Sequence, residues 1–402
     1  MKDTKHLAKT IEEMKGKGLF NYIKTITSEQ GAYLGVNGEK YLNLCSNNYL
    51  GLASDPALKK AAIKAVKKYG VGTASVRSLV GTNLLHLELE EKLAKFKKAE
   101  AAIVVTGGYL ANMAAIQTLL GKEDVVISDE LNHASIIDAI RLAGVKNKFI
   151  YKHGNVENLK SQMSNIKSLL KTPKEDGLKR TALIVTDGVF SMDGDVAPLP
   201  ELVKVAEDLG AYLMVDDAHG EGVLGKKGRG IVDHFGLHGK VDIEMGTLSK
   251  AFGVLGGFIT GKKELIDFYR QKARQFLFTN ALSIPDTAAL IAAVDLMSKS
   301  DSRIKQLWRN TKFLKSGLQK AGFDIGHSET PITPVMLGDE NLTKQFAAEL
   351  LKEGVLVTAI KFPMVALGKA RLRLIPSAIH TEKDLLFGIK KIEKVGKKLK
   401  VI

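Results

Sequence analysis

Ala-Tyr-Leu-Met-Val-Asp-Asp-Ala-His, residues 211–219, is a short apolar run that ends on a carboxylate, and it decides the fold. Similar apolar runs occur at 101–105, 124–128, 183–187 and 257–261, separated by longer amphipathic segments. Short strands that alternate with helices predict crossover connections and a mostly parallel sheet. We therefore expect an α/β fold in which Asp187 and Asp216 lie at the ligand-binding edge of the sheet.

Lys250, in Gly-Thr-Leu-Ser-Lys-Ala-Phe-Gly (246–253), is the natural partner of Asp216. A lysine among small residues can form an imine with an aldehyde cofactor, and a carboxylate that ends an apolar strand can keep a pyridine nitrogen protonated. A buried ionised carboxylate needs a cationic partner because its desolvation is costly, and a pyridinium supplies one. A surface lysine and a helix-capping aspartate are the alternatives for each residue alone. Together the two residues indicate a pyridoxal 5′-phosphate (PLP) site.

The composition is typical of a soluble protein, with 402 residues, 45% hydrophobic and 26% charged. No segment is apolar over the length needed to span a bilayer, and the first residues lack the apolar core of a secretory signal. We therefore expect a cytoplasmic protein without membrane association. Cys45 is the one cysteine, which excludes an intrachain disulfide and a multi-cysteine metal cluster. No metal site is predicted.

The net charge of +15 raises nucleic-acid binding as an alternative function. The lysines are interleaved with glutamates, as in Glu-Leu-Glu-Glu-Lys-Leu-Ala-Lys-Phe-Lys-Lys (88–98), a pattern typical of a solvated helix face. The densest basic stretch, 390–400, contains no aromatic residue that could stack on a base. We therefore predict no nucleic-acid partner, and assign the charge to solubility and mild attraction for a polyanionic substrate.

The remaining segments predict three units along the chain. An amphipathic helix and a hairpin around Asn37-Gly38 occur near the start. Helical periodicity opens at Pro285 and continues to about 321, and strand-like runs follow at 333–337, 355–359 and 371–375, with helical segments at 341–353 and 381–399. We predict an N-terminal arm (1–46), a large cofactor-binding domain (47–284) and a small C-terminal α/β domain (285–402).

Three segments after predicted strands carry candidate cofactor contacts. Gly107-Gly108-Tyr109 opens a helix, so its backbone amides and the helix dipole are placed to bind a phosphate; a tight turn with a core tyrosine is the alternative. His133 begins another helix, where it can stack on a pyridine ring or cap the helix. His219 can approach a phenolate oxygen of the cofactor or only shape its loop.

Hydroxyl and guanidinium groups complete the candidates. Ser191 follows another buried strand, and Thr247 and Ser249 flank the lysine, so these hydroxyls can bond a phenolate or phosphate. Arg371 and Arg373 alternate along the last strand-like run. We expect only Arg373 to enter the site, and Arg371 to face the other way and tolerate replacement. A guanidinium suits a substrate carboxylate because it binds two oxygens in parallel.

Several ordered motifs carry a resemblance: Asn47-Asn48-Tyr-Leu-Gly-Leu, Val76-Arg77, Asp-Glu-Leu-Asn-His-Ala-Ser-Ile-Ile-Asp (129–138), Thr-Asp-Gly-Val-Phe-Ser-Met-Asp-Gly (186–194), Asp-Asp-Ala-His (216–219), Thr-Leu-Ser-Lys (247–250) and Ala-Arg-Leu-Arg (370–373). From about residue 18 to the C-terminus, the chain resembles the α-oxoamine synthase family of fold-type I PLP enzymes. The resemblance implies a mostly parallel seven-stranded sheet flanked by helices, and the condensation of an amino acid with an acyl-CoA.

The resemblance also implies a role for each candidate. Four residues would act on the cofactor ring: Lys250 as the Schiff-base lysine, Asp216 as the pyridinium partner, His133 by stacking and His219 at the phenolate. The phosphate and a cofactor oxygen would be bound by Gly108, Tyr109, Thr247 and Ser191, with Thr279 reaching in from the second subunit of a homodimer with shared active sites. The substrate carboxylate would be received by Asn47 and Arg373.

The acyl chain and the amino acid depend on a weaker clue. Gly-Thr-Ala-Ser-Val-Arg (72–77) resembles the glycine C-acetyltransferase branch, since other branches more often show Gly-Gly before the arginine. We therefore expect condensation of glycine with acetyl-CoA to 2-amino-3-oxobutyrate, a step of threonine degradation. The alternatives are 8-amino-7-oxononanoate synthesis from alanine and pimeloyl-CoA, an enzyme that accepts both pairs, and succinyl-CoA use. A catalytically silent relative is the non-enzymatic alternative, and the presence of Lys250 argues against it.

Overall fold

The computed structural model describes residues 4–16, 20 and 22–402. Three short parts of the predicted arm lie outside the described residues: 1–3, 17–19 and 21. They include the start of the family resemblance near residue 18. The helices are α1 (Lys5–Gly16), α2 (Pro56–Tyr69), α3 (Leu84–Lys97), α4 (Gly108–Leu119), α5 (Ala134–Ala143), α6 (Val156–Lys171), α7 (Leu199–Leu209), α8 (Ile231–His234), α9 (Lys263–Lys272), α10 (Arg274–Leu277), α11 (Ile284–Lys299), α12 (Ser302–Lys320), α13 (Glu340–Lys352) and α14 (Glu382–Lys398). The strands are β1 (Tyr33–Val36), β2 (Glu39–Asn43), β3 (Ala101–Val105), β4 (Val125–Asp129), β5 (Asn147–Tyr151), β6 (Ala182–Asp187), β7 (Tyr212–Asp216), β8 (Ile243–Thr247), β9 (Gly257–Gly261), β10 (Thr333–Gly338), β11 (Val355–Leu356), β12 (Thr358–Ile360) and β13 (Ala370–Leu374).

The central layer is a seven-stranded sheet in the order β3-β9-β8-β7-β6-β4-β5. Strand β9 is antiparallel to both of its neighbours, and the pairs from β8 to β5 are parallel. Successive residues of one strand enter different cores, since Ile184 packs in one apolar cluster and Leu183 and Val185 in the other. Both faces are therefore covered, which explains the uninterrupted apolar runs. The predicted mostly parallel seven-stranded sheet flanked by helices is confirmed.

A smaller C-terminal unit contains the antiparallel sheet β10-β13-β12 and the helices α12 to α14. The N-terminal hairpin joins this unit, because β2 pairs in parallel with β11 and its Leu42 lies in the same apolar cluster as Leu372. The hairpin turns at Asn37 and Gly38, whose φ angles of 51° and 85° are those of a tight two-residue turn. The predicted domain bounds of 46/47 and 284/285 stay predictions.

Two details differ from the sequence expectations. The helical stretch after Pro285 is two helices, α11 and α12, separated at Ser300 and Asp301. The basic face predicted for 88–98 is not wholly solvated: Lys97 is 1% exposed, and its Nζ lies 2.9 Å from Asp217 Oδ2 and 3.1 Å from Glu244 Oε2. Opposite charges buried together compensate part of the cost of desolvation. Among the described helices, none combines the length and the hydropathy that a bilayer crossing requires.

Candidate active site

A cavity of about 170 Å³ lies where β6 and β7 end and where α4 and α5 begin. It is lined by every predicted cofactor residue except Thr279: Gly108, Tyr109, His133, Ser191, Asp216, His219, Thr247 and Lys250. Ends of neighbouring parallel strands meet there, since Asp187 and Asp216 are paired in the β6–β7 register. The sequence therefore predicted a set of residues that the fold brings together.

Asp216 is fixed by two donors. The backbone N–H of Ala218 donates to Oδ1 at 3.0 Å, and the side-chain amide of Asn112 donates to Oδ2 at 2.6 Å. Asn112, fully buried in α4, also donates to Ser135 Oγ at 2.8 Å. Asn112 was not among the predicted site residues, although an amide on the buried face of an otherwise apolar helix was the available signal. It orients the carboxylate that faces the cavity.

Asp187 is a second buried carboxyl group beside Asp216. Burial and the neighbouring Asp216 hold the pKa of Asp187 well above its usual range. The backbone N–H of His133 donates to its Oδ1 at 3.3 Å. Two adjacent buried carboxyl groups do not both ionise readily, so the raised pKa favours the protonated form of Asp187.

His133 is both the helix cap and a cavity residue. Its Nδ1 accepts from the backbone N–H of Ser135 at 3.2 Å and lies 2.7 Å from the Ser135 hydroxyl. Burial lowers the pKa of His133, so the ring is neutral near pH 7. The sequence left two roles for His133, stacking on a pyridine ring and capping the helix. The two are compatible, because a neutral ring that caps the helix still presents a flat face to a bound aromatic group.

His219 lies deeper, with Nδ1 2.8 Å from the hydroxyl oxygen of Tyr49. Burial, followed by the nearby cations Lys250 and Arg373, lowers the pKa of His219 well below its usual range. The ring is therefore a neutral hydrogen-bonding group. Tyr49 stands in the Asn-Asn-Tyr motif, but sequence reasoning gave it no role.

Lys250 is the reactive candidate. Burial is the largest effect on its pKa and lowers it; Asp216 opposes this shift, and the cation of Arg373 adds to it. A lysine whose pKa is lowered offers more of the neutral amine, which is the form that attacks an aldehyde. The local electrostatics therefore suit the imine chemistry predicted for this residue.

The start of α4 offers free backbone donors to an anion. Its N-cap, Gly107, makes no capping hydrogen bond through a side chain, and a Cβ placed on Gly107 would meet no atom within 4 Å. At Gly108 a Cβ would lie 2.9 Å from Thr247 Oγ1, so glycine permits the close approach of Thr247. Thr247 Oγ1 is also 2.9 Å from Ser249 Oγ. Open space, unpaired helix N–H groups and two hydroxyls fit a phosphate group.

Arg373 and Asn47 lie together, with Arg373 Nη2 donating to Asn47 Oδ1 at 3.3 Å. The arginine is 8% exposed, and within the described ranges its Nε has no hydrogen-bond partner. A buried guanidinium with an unpaired donor is costly unless a ligand completes it. The pair therefore fits a carboxylate ligand, although neither residue lines the cavity itself, and their predicted role at the substrate stays a prediction.

Comparison with known proteins agrees with this geometry. The family model described as aminotransferase class I and II matches residues 39–392. An 8-amino-7-oxononanoate synthase from Thermosipho melanesiensis is 56% identical over 100% of both chains, and one from Fervidobacterium nodosum is 53% identical over 99% of both. The chain belongs to the α-oxoamine synthase family of fold-type I PLP enzymes.

The solved structures agree. A variant of serine palmitoyltransferase from S. paucimobilis, solved with a PLP–myriocin aldimine bound, has a TM-score of 0.90 and 31% identity over 99% of this chain and 98% of that one. The cofactor of this α-oxoamine synthase is PLP, as predicted, and the residues at the cavity fit it: a carboxylate for the ring nitrogen, a lysine for the aldehyde and free helix N–H groups for the phosphate.

The expectation of a glycine C-acetyltransferase was wrong, and with it the place in threonine degradation. Six curated relatives at 47–56% identity over nearly the whole chain are 8-amino-7-oxononanoate synthases. The clue had rested on Ala-Ser-Val-Arg, but Arg77 is buried and donates to Glu90 at 2.9 Å, while Val76 bridges Asn280. The motif shapes a turn of the backbone and does not line the cavity.

The expectation that Arg371 faces the other way from Arg373 was also wrong. Residues two apart in a strand point to the same face, and Arg371 is 4% exposed. Its guanidinium pairs with the carboxylate of Asp193, and its Nε donates to the Lys369 carbonyl at 3.0 Å. Arg371 therefore fastens the loop that carries Ser191 to the small C-terminal unit.

His153 fastens the same loop from the other side. Its Nδ1 lies 3.1 Å from Asp129 Oδ1, and its Nε2 lies 2.8 Å from Asp195 Oδ2. Hydrogen bonds to these two carboxylates raise the pKa of His153 to about 10. An imidazolium thus joins the end of β4 to the loop after Ser191.

We expect this link to be lost at high pH. Because the folded pKa is about 10 and an unfolded histidine titrates near about 6.5, the stabilisation is complete below the unfolded value and declines as pH rises towards 10. Thermal unfolding of wild type and His153→Gln at pH 6, 8 and 9.5 should give a difference in Tm that shrinks with pH. His327→Gln, at an exposed histidine, is the control; a difference for His153→Gln that stays constant over this range would contradict the charged link.

Proposed function

We propose that the chain condenses alanine with pimeloyl-CoA to give 8-amino-7-oxononanoate and CoA. The full-length identity of 56% to an 8-amino-7-oxononanoate synthase carries this proposal. The product has one carbon fewer than the two substrates together, so the α-carboxyl group of alanine leaves as carbon dioxide. We also propose a cytoplasmic location, supported by the single cysteine.

Arg373 and Asn47 would bind the alanine carboxylate, the first by ionic hydrogen bonds and the second by its amide. The bound PLP supplies a protonated ring that stores the electron pair left at the α-carbon, and Asp216 keeps that ring protonated. Lys250, whose pKa is lowered, takes the α-proton of alanine and later returns one. His133 would cover the ring face and His219 would contact the phenolate.

The phosphate would be bound by the N–H groups of Gly108 and Tyr109, by Thr247 and by Thr279 of a second subunit. Thr279 does not line the cavity of its own chain. Its neighbour Phe278 is 70% exposed, and the Val76–Asn280 bridge brings this segment beside a group of exposed apolar residues: Val71, Leu79, Val80 and Leu84. A group of large exposed apolar residues is typical of a protein interface and supports a homodimer with shared sites.

The dimer has a direct test. Mixing Lys250→Ala chains with Thr279→Arg chains should restore activity, because a mixed dimer contains one site with neither change. Each variant alone should be inactive. Sedimentation of a fully active monomer at the assay concentration would remove the proposal of shared sites.

The substrates are tested by CoA release. Purified enzyme is assayed with alanine, glycine and serine against acetyl-, succinyl-, pimeloyl- and palmitoyl-CoA. We expect the highest kcat/KM for alanine with pimeloyl-CoA. A higher value for any other pair would overturn the proposed substrates while leaving the PLP chemistry in place.

Arg373→Ala should weaken alanine binding by about 2–4 kcal/mol, the usual scale for losing a partner of a buried charged hydrogen bond. The measurement is the KM for alanine, together with the equilibrium constant from the spectral change on alanine binding. Arg371→Ala is the matched control two residues away. It should lower the Tm and leave alanine binding nearly unchanged, because its partner is Asp193. Equal loss of alanine binding in both variants would contradict the assignment.

A further inference from the structure

Tyr49 is a fully buried residue behind the candidate site. Its ring stands edge-on to that of His219, with centroids 6.1 Å apart and planes at 86°. Its hydroxyl oxygen lies 2.8 Å from His219 Nδ1. Tyr49 does not line the cavity, whereas His219 does. The tyrosine can therefore act on a bound ligand only through the histidine.

The direction of this hydrogen bond follows from the burial of both groups. Burial raises the pKa of Tyr49 to about 12, so its hydroxyl keeps its proton. Within the described part of the chain, His219 Nδ1 is the one hydrogen-bond partner of that hydroxyl. If Nδ1 carried a proton, the tyrosine proton would be buried without an acceptor, which is costly. Nδ1 is therefore the acceptor.

The ring nitrogen of His219 that carries the N–H proton then follows by elimination. Its ring is neutral, since burial and the charged groups that face it, Lys250 and Arg373, all disfavour the imidazolium. A neutral imidazole has one N–H, and an accepting Nδ1 leaves that proton on Nε2. His219 therefore carries its one donor on Nε2, and its side chain is part of the cavity lining.

Tyr49 is itself held rigidly. Its carbonyl accepts from the backbone N–H of Ala378 at 2.8 Å and from the Ser377 hydroxyl at 3.2 Å, and its N–H donates to the Asn47 carbonyl at 2.8 Å. The hydroxyl therefore has a fixed position relative to Asn47. A rigid partner is what a neutral histidine needs to keep one tautomer.

We propose that Tyr49 is a positioning residue that fixes His219 as its Nε2–H tautomer, so that His219 donates a hydrogen bond to the phenolate oxygen of PLP. The contact between His219 and PLP belongs to the proposed function, on which this inference rests. The tautomer itself is a property of the protein without cofactor.

The first test is therefore made on cofactor-free, full-length protein labelled with ¹⁵N-histidine. Long-range ¹H–¹⁵N correlation spectra distinguish the two tautomers, and His219→Gln identifies the His219 signals. We expect Nε2–H in wild type, and loss of that single pattern in Tyr49→Phe. The matched control is Tyr269→Phe, because Tyr269 is also fully buried and, among the described residues, its hydroxyl has no hydrogen-bond partner. A wild-type spectrum with Nδ1–H would overturn the inference without any variant.

The second test uses the visible absorption of the PLP-loaded enzyme. The negative charge on the phenolate oxygen of PLP holds the proton on the nitrogen that links Lys250 to PLP. A hydrogen bond donated to that oxygen by His219 weakens this hold, so loss of the donor should raise the pKa of the nitrogen and with it the pH at which the visible band changes. One hydrogen bond corresponds to about half a unit to one unit. We expect this upward shift in Tyr49→Phe and none in Tyr269→Phe. An unshifted Tyr49→Phe would overturn the inference, as would an equal shift in the control.

Failure of the proposed function can be distinguished from failure of the inference about Tyr49. If wild type shows the Nε2–H tautomer but CoA release favours another substrate pair, the proposed function fails and the role of Tyr49 stands. If the substrates are as proposed and Tyr49→Phe changes neither spectrum, the inference about Tyr49 fails alone.

Discussion

Lys250→Ala is expected to abolish condensation, with a fall in kcat of at least roughly four orders of magnitude. The change removes both the amine that anchors PLP and the base that takes the α-proton. The visible band of the lysine-linked cofactor should disappear, while the Tm of the cofactor-free protein should change little. The measurements are CoA release, the absorption spectrum after addition of PLP, and thermal unfolding.

Lys262→Ala is the control for this experiment, since Lys262 is an exposed lysine at the start of α9. It should keep the wild-type spectrum and rate. Near-native turnover by purified Lys250→Ala enzyme would refute the assignment of the catalytic lysine.

Asp216→Asn should have the second largest effect, a loss of roughly 10²- to 10⁴-fold in the exchange of the alanine α-proton in deuterated water. The asparagine amide cannot compensate a buried pyridinium, and breaking a buried charge pair costs about 3–5 kcal/mol. PLP affinity should fall less than the rate, because the phosphate contacts and Lys250 remain.

Asp187→Asn is the matched control, because the two carboxyl groups are register neighbours at one edge of the sheet. The pKa of Asp187 is raised, which favours its neutral form, so an amide of the same shape should cost less than about tenfold. Equal losses in the two variants would mean that both carboxyl groups share the charge that PLP needs.

The strand ends that carry the site could be predicted because burial on both faces leaves an uninterrupted apolar run. Strand β8 was missed because its sequence, Ile-Glu-Met-Gly-Thr, has the charged Glu244 at the second position; that carboxylate is accommodated by Lys97 from α3, a partner far away in the sequence. Edge strand β5 was missed because its sequence, Asn-Lys-Phe-Ile-Tyr, starts with two polar residues and has an apolar run of only three. The periodicity of apolar residues does not reveal a compensating contact such as the ion pair between Glu244 and Lys97.

The site residues also divide into those that the local sequence predicts and those that it does not. The chemistry of Lys250, Asp216 and His133 could be predicted from the type of each residue and the motif that contains it. Asn112 and Tyr49 act through hydrogen bonds to residues on other elements, Asp216 and His219, so no local pattern marks them. The substrate pair was mistaken because the motif used for it, ending in Arg77, forms a buried ion pair with Glu90 and not a wall of the cavity.

The parallel pairing of β2 with β11 has a consequence for biosynthesis. Leu42 lies opposite Val355, so the N-terminal hairpin leaves the ribosome long before its partner strand exists. At about 5–20 residues per second, the delay is roughly 15 to 60 s. During that time the outer edge of β2 is an unpaired strand edge, open to chaperones and to pairing with other nascent chains. Slower translation between residues 42 and 355 should therefore lengthen this exposure and lower the yield of folded enzyme.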